Sequence, residues 1–127
     1  MKSKILSLSK SEDFKSLLNG KKIINPYSTI FFKKISSKNN NLLNISFVTK
    51  KKIGNAIKRN KIKRRLRNIM NDAIKSANMD LNYSYLFIAK KNVYNAKYKM
   101  IKDSIFKDLN KIRWLKHYSL FWLKFIN

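Results

Sequence analysis

Cysteine is absent from the 127 residues, and acids are scarce: six Asp plus Glu stand against thirty Lys plus Arg, a formal net charge of +24. Without cysteine there is no disulfide framework, no thiolate metal site and no sulfur nucleophile, which fits a reducing compartment. No apolar run approaches the ~20 residues that a membrane-spanning helix needs. The first ten residues, Met-Lys-Ser-Lys-Ile-Leu-Ser-Leu-Ser-Lys, lack the apolar core of a signal peptide. A cytoplasmic location is therefore expected.

The shortage of acids also bears on chemistry. Phosphodiester hydrolysis by a protein requires paired carboxylates for metals, or a histidine base with a partner. The carboxylates here are Glu12, Asp13, Asp72, Asp80, Asp103 and Asp108, and the single histidine is His117. They read mostly as first-turn, helix-end or surface residues, and Asp103 and Asp108, five apart, do not share a helical row. No catalytic residue and no tightly bound metal are expected.

What the chain does contain is 44% apolar residues with six Tyr, eight Phe and two Trp, enough for one modest folded core. Charge of +24 destabilises a compact monomer by self-repulsion, so a polyanionic partner is the natural physical answer. An anionic membrane surface would attract the same side chains. Lys, Asn and Ile are all abundant, as a biased coding background would make them, so the placement of charge is more informative than its sum.

Periodicity divides the chain into six elements. Ser9 and Glu12 have capping-box spacing, Phe14, Leu17 and Leu18 follow on one face, and Gly20 suits a C′ position, so a first helix is predicted. After a turn at Asn25-Pro26, residues 27–32 are β-branched and aromatic and read as a strand. Across the polar stretch 36–41, Leu43, Ile45 and Phe47 alternate with Asn44 and Ser46, which predicts a half-buried strand in a hairpin with the one before. From Ile62, apolar residues recur at three and four through Leu66, Ile69, Met70, Ala73, Ile74 and Ala77, defining an amphipathic helix of about four turns that ends near Asn78 and Asp80. Residues 83–89 form a further strand. A last helix from about Lys97 to Trp114 turns Ile101, Ile105, Leu109 and Ile112 inward. The fold class is α+β, a single-domain sandwich in the order α-β-β-α-β-α with room for one extra short strand.

Arginine is placed, not scattered. Four of the five, Arg59, Arg64, Arg65 and Arg67, lie within nine residues; the fifth is Arg113, and the other cations are lysines. From Phe14 to Asn71 there are sixteen Lys and Arg and no acid at all. Asn60, Arg64 and Arg67 form an outward row flanked by Lys61, Lys63 and Arg65, opposite the Ile62/Leu66/Ile69 seam. Guanidinium forks suit bidentate phosphate contact and base stacking, where lysine offers a point charge. Lys50, Lys51 and Lys52 precede Gly54 and lead into the helix N-terminus, whose free N–H groups favour phosphate. A solvated helix face is the bland alternative, but such faces usually mix signs.

The stretch Lys51-Lys52-Ile53-Gly54-Asn55-Ala56-Ile57-Lys58-Arg59-Asn60-Lys61-Ile62-Lys63-Arg64-Arg65-Leu66-Arg67 resembles the signature of the bacterial ribonuclease P protein family. Glu12-Asp13-Phe14 and Phe87-Ile88-Ala89-Lys90-Lys91 are similar to two further elements of that family, in the same order. Lys61 departs from it, standing where the family most often has Arg. The resemblance implies a left-handed βαβ crossover around the signature helix and a domain over residues 1–113. It implies a protein subunit of ribonuclease P, without catalytic residues of its own, that assists removal of the 5′ leader from precursor tRNA. It further implies that Lys51, Lys52, Arg59, Asn60, Lys61, Lys63, Arg64, Arg65 and Arg67 face the catalytic RNA. Phe14, Leu18 and Phe31 would line a cleft for the single-stranded leader, where rings can stack on bases without reading sequence. Core packing is the alternative for Phe14 and Phe31. The partners implied are the catalytic RNA and precursor tRNA, with Mg²⁺ held mainly by the RNA and no small-molecule substrate. A ribosomal or other structural RNA-binding protein would share the charge and fold class but would not need the signature.

Residues 114–127 form an aromatic, basic tail on which the resemblance is silent. An interfacial membrane helix would have this composition; a helix extension packed on the domain, or against another subunit, is the favoured reading.

Overall fold

The computed structural model describes residues 5–8, 11–34, 42–76 and 79–126, with 113–126 described as backbone alone. In chain order the elements are β1 (Ile5–Ser7), α1 (Ser11–Leu18), β2 (Lys21–Ile24), β3 (Ser28–Lys33), β4 (Leu43–Val48), α2 (Ala56–Lys75), β5 (Ser84–Ala89) and α3 (Tyr98–Ile126). Short 3₁₀ turns at Lys51–Ile53 and Lys91–Val93 follow β4 and β5. The strands form one sheet in the order β1-β4-β5-β3-β2.

The sheet is mixed. β4 runs parallel to both β1 and β5, whereas β3 is antiparallel to β5 and to β2. The hairpin expected between the strands at 28–33 and 43–48 does not form, because β5 inserts between them. Alternation identifies which face of a strand is buried and leaves its partner open; here the partner of β3 on one side is β2. That strand, Lys-Lys-Ile-Ile at an exposed edge, and the three-residue β1 were both missed by periodicity. β4, α2 and β5 make a βαβ crossover between adjacent parallel strands.

Two layers cover the sheet. On one face Leu43, Ile45 and Phe47 of β4, Tyr85, Phe87 and Ala89 of β5, and Ile30 and Phe32 of β3 meet the α2 seam of Ile62, Leu66, Ile69, Met70 and Ala73. The expected α3 residues Ile101, Ile105, Leu109 and Ile112 close this core, and all four are buried. Burying each such large side chain contributes about 1.5–3 kcal/mol. On the other face α1 packs Leu17 against Leu86, with Leu8 beside them.

α2 starts earlier than its apolar period suggests. Asn55 caps it, its Oδ1 accepting from the Lys58 N–H at 3.0 Å, so the helix begins at Ala56 before the first buried residue at Ile62. Ser9, the expected cap of α1, lies outside the described residues, as do the polar stretch 36–41, Ala77 and Asn78. Gly20 follows α1 for a reason other than a left-handed C′ conformation. A Cβ there would stand 2.8 Å from the Phe32 carbonyl oxygen and 3.0 Å from the Lys33 Cβ, so only glycine lets α1 hand over this close to β3. The backbone of α3 continues as helix through the tail to Ile126; the packing of the tail's side chains lies outside the described residues.

A buried polar knot fixes the β2–β3 turn. The Asn25 Oδ1 accepts from the Tyr27 and Ser28 N–H groups at 2.8 Å each, and its Nδ2 donates to Asp108 Oδ2 at 2.8 Å. Lys90 Nζ donates to the Asn25 carbonyl at 2.7 Å. Asp108, expected at the surface of the last helix, is only 4% exposed because this amide reaches it from the turn.

A second polar contact joins α2 to α3. Tyr98 Oη donates to Asp72 Oδ2 at 2.9 Å, and Lys102 Nζ lies 3.5 Å from the same oxygen. Burial, then the hydrogen bond to Asp72 and its negative charge, push the phenol up from 10.0 to about 12 against the opposing pull of Arg65. A raised folded-state pKa contributes stability that is complete below the unfolded value near 10 and is lost as pH rises through about 12. Wild type is therefore expected to lose its stability advantage over Tyr98→Phe between those pH values. Denaturant unfolding of both proteins across that window measures the difference, and the shared deprotonation of lysines cancels. A constant difference would show that the hydroxyl does not titrate late.

Candidate nucleic-acid interface

The loop from β4 into α2 is held at three points. Ile53 is buried, its N–H donates to the Lys50 carbonyl at 3.0 Å, and Asn55 caps the helix that follows. Between these anchors Lys51 and Lys52 are exposed. Lys51 and Lys52 thus stand in the turn that leads into the α2 N-terminus, whose free N–H groups attract phosphate.

The polar side of α2 divides into strips around its apolar seam. Asn60, Arg64 and Arg67 are exposed and point outward, as the periodicity predicts. Lys63 flanks the seam half-buried, and the Arg67 guanidinium carbon lies 5.9 Å from the centroid of the Phe47 ring. Arg59 is half-buried, and its Nε is shielded from solvent with no hydrogen-bond partner among the described residues. On the other flank Lys58 and Lys61 reach the Tyr94 ring, their Nζ atoms 4.7 and 4.4 Å from its centroid. Among the described residues, none of these cations on α2 pairs with a carboxylate: Asp72 is taken by Tyr98 and Lys102, and Asp108 by Asn25 and Lys111.

Arg65 is placed differently from its neighbours. Its Nη1 donates to the carbonyls of Val93 and Tyr94, the latter at 3.1 Å, and its Nη2 donates to Ala96 at 2.6 Å. The fork is engaged by the backbone leading into α3, so the group expected to face RNA instead fixes one helix against the approach to another.

Of the cleft residues, Phe14 and Phe31 come together, half-buried with Val48 and Ile88 around Leu17 and Leu86. Each ring packs on the core and keeps part of its surface accessible. Leu18 is turned away and 49% exposed, outside this cluster. Through Ile88 the apolar patch runs into a groove of about 400 Å³ lined by Thr29, Ile53, Ala89, Lys50, Lys52, Lys90 and Lys91. Lys52 thus belongs to the rim of the cleft and to the loop that opens α2, joining the two surfaces. Lys50, Lys90 and Lys91 were missed as site residues. Their signal was a lysine run after each of two strands; it becomes a site only when those strands lie parallel and adjacent, with their C-terminal ends together.

The family model described as Ribonuclease P matches residues 2–113. The chain belongs to the ribonuclease P protein family. It is 37% identical over 114 residues to the ribonuclease P protein component of Fusobacterium nucleatum subsp. nucleatum, covering 84% of this chain and 92% of that one. Identity to the ribonuclease P protein component of Mycoplasma mycoides is 29% over 106 residues, 84% of this chain and 94% of that one. The fold is shared with the RNase P protein from Thermotoga maritima, with a TM-score of 0.70, 22% identity, and coverage of 84% and 96%. Staphylococcus aureus RNase P protein gives a TM-score of 0.67 at 21% identity, covering 84% and 94%. As a ribonuclease P protein, the chain is a subunit of a tRNA-processing endoribonuclease that removes the 5′ leader.

Among the described residues no three His, Asp or Glu side chains gather as a metal would need. No helix among those residues is long and apolar enough to cross a membrane.

Proposed function

We propose that this protein binds the catalytic RNA of ribonuclease P through the polar side of α2 and the Lys51–Lys52 loop. The cleft between α1 and the sheet holds the single-stranded 5′ leader of precursor tRNA. The supporting observation is that Arg64, Arg67 and Lys63 stand on one rigid helix face with no carboxylate among the described residues to neutralise them. Each phosphate they contact releases condensed counterions, so binding is driven by entropy and weakens with salt. The open sides of Phe14 and Phe31 offer stacking to bases of any identity, and the lysine rim follows the backbone. A leader held this way favours precursor over product, because the product has lost the strand that fills the cleft.

Mg²⁺ belongs with the RNA phosphates in this reading, since the described carboxylates are dispersed and partly engaged. The protein's part is to neutralise phosphates, which lets the RNA reach its active form with fewer divalent ions. The assembly operates in the cytoplasm. Reconstitution tests the proposal: the protein, a ribonuclease P RNA and a precursor tRNA with a 5′ leader are mixed at low Mg²⁺. Cleavage at the mature 5′ end is expected to be stimulated, with no cleavage by protein alone and tighter binding of precursor than of leaderless tRNA. Equal binding of the two tRNAs would refute the cleft, and no stimulation would leave a general RNA-binding protein.

A further inference from the structure

Lys58, Lys61 and Arg65 occupy one strip of α2, three and four residues apart, and all three converge on the segment that follows the 3₁₀ turn at Lys91–Val93. Arg65 holds that segment by its carbonyls, including that of Tyr94 itself at 3.1 Å. The Tyr94 N–H donates to the Lys91 carbonyl at 3.2 Å, so the peptide groups on both sides of the residue are held. On this fixed ring both ammonium groups settle, at 4.7 and 4.4 Å from its centroid.

Two like charges on one aromatic ring repel each other, and the ring's negative face offsets only part of that repulsion. Each ammonium carries three donors, of which the ring satisfies at most one direction. Two long, flexible side chains that would otherwise sample many rotamers are held on one ring with donors to spare. An anion with several acceptor oxygens that reaches both relieves the repulsion and takes free donors from each. A phosphodiester has that form, and among the described residues no carboxylate pairs with either ammonium, Asp72 further along the strip being taken by Tyr98 and Lys102.

We propose that Lys58 and Lys61 form a paired phosphodiester grip on α2 and that Tyr94 is the positioning residue that seats them. The grip rests on the RNA-binding reading of α2 given above and extends it to two residues, Lys58 and Tyr94. Arg65 is the second positioning residue, one step further back: it holds the ring rather than the nucleic acid. Lys61, where a point charge stands in place of a fork, gains from the ring the orientation that an ammonium lacks by itself.

The test compares Tyr94→Phe, Tyr94→Leu, Lys58→Met and the double variant Lys58→Met/Tyr94→Leu for binding to a ribonuclease P RNA transcript at fixed ionic strength. Tyr94→Leu is expected to bind about tenfold more weakly, and Tyr94→Phe, which keeps the ring, to bind like wild type. The double variant is expected to lose little more than either single change, because each dismantles the same unit. In the free protein the ε-methylene resonances of Lys58 and Lys61 should show ring-current shifts in wild type and Tyr94→Phe that vanish in Tyr94→Leu. Thermal unfolding of each variant separates a loss of fold from a loss of the grip. Wild-type affinity in Tyr94→Leu, or equal losses in the Phe and Leu variants, would overturn the inference. Arg64→Ala/Arg67→Ala serves as the reference: if it binds RNA normally, the reading of α2 itself fails. If it binds weakly while Tyr94→Leu binds normally, only the grip fails.

Discussion

Replacing Arg64 and Arg67 together by alanine is expected to weaken binding to ribonuclease P RNA by about a hundredfold, roughly 3 kcal/mol for two charged phosphate contacts. Both side chains are exposed on the outward strip of α2, and neither has a carboxylate partner among the described residues to release it from. Truncation therefore removes contacts to the partner without unsatisfying anything within the fold. The slope of log affinity against log salt should become shallower by about two, out of a total corresponding to ~6–10 phosphates. The comparison is Lys99→Ala/Lys107→Ala on α3, which removes the same formal charge from exposed positions on another element. That pair should cost less than about threefold, the effect of a diffuse field screened over a Debye length. Titrating labelled RNA at several salt concentrations measures both quantities. Equal losses in the two double variants would mean that charge alone, spread over the surface, binds the RNA, and that the guanidinium strip is no site.

Much of this architecture is legible in the chain because apolar spacing reports burial directly. The α2 seam and the four α3 isoleucine and leucine positions were all assigned to the core, and they are there. What spacing cannot report is which element meets which. The strand at Leu43–Val48 alternates cleanly, yet it lies beside β5 and β1 in parallel, and its sequence neighbour β3 is two places away. The near-continuous apolar run of β5 was the available hint, since a central strand covered on both faces reads that way. The consequence reaches the site. Only the parallel pairing brings Lys50 and Lys52 next to Lys90 and Lys91, so the basic end of the cleft was invisible while a hairpin was assumed. Asp108 was misjudged for a similar reason: its partner Asn25 is eighty-three residues away, and no local pattern encodes that contact.

Arg65 is the sharpest case, and it yields the second large expected effect. By sequence it is one more guanidinium in a basic run; by structure its fork donates to three backbone carbonyls, those of Val93, Tyr94 and Ala96. A planar group with five donors can serve three acceptors lying in one loop, whereas an ammonium on a single stem cannot reach all of them with good geometry. Arg65→Lys is expected to destabilise the fold by about 2–4 kcal/mol, since part-buried carbonyls lose charged donors. For a domain of this size that corresponds to a fall in melting temperature of roughly 10 °C or more. The charge is conserved, so at a temperature where the variant is folded its salt slope in RNA binding should match wild type. If Arg65 contacted phosphate through its fork instead, the pattern would invert: melting would hold and affinity would drop. Calorimetry beside RNA titration reads both numbers on the same preparation. An unchanged melting temperature with weakened RNA binding would return Arg65 to the RNA-facing side of α2 and remove the support on which the Tyr94 ring depends.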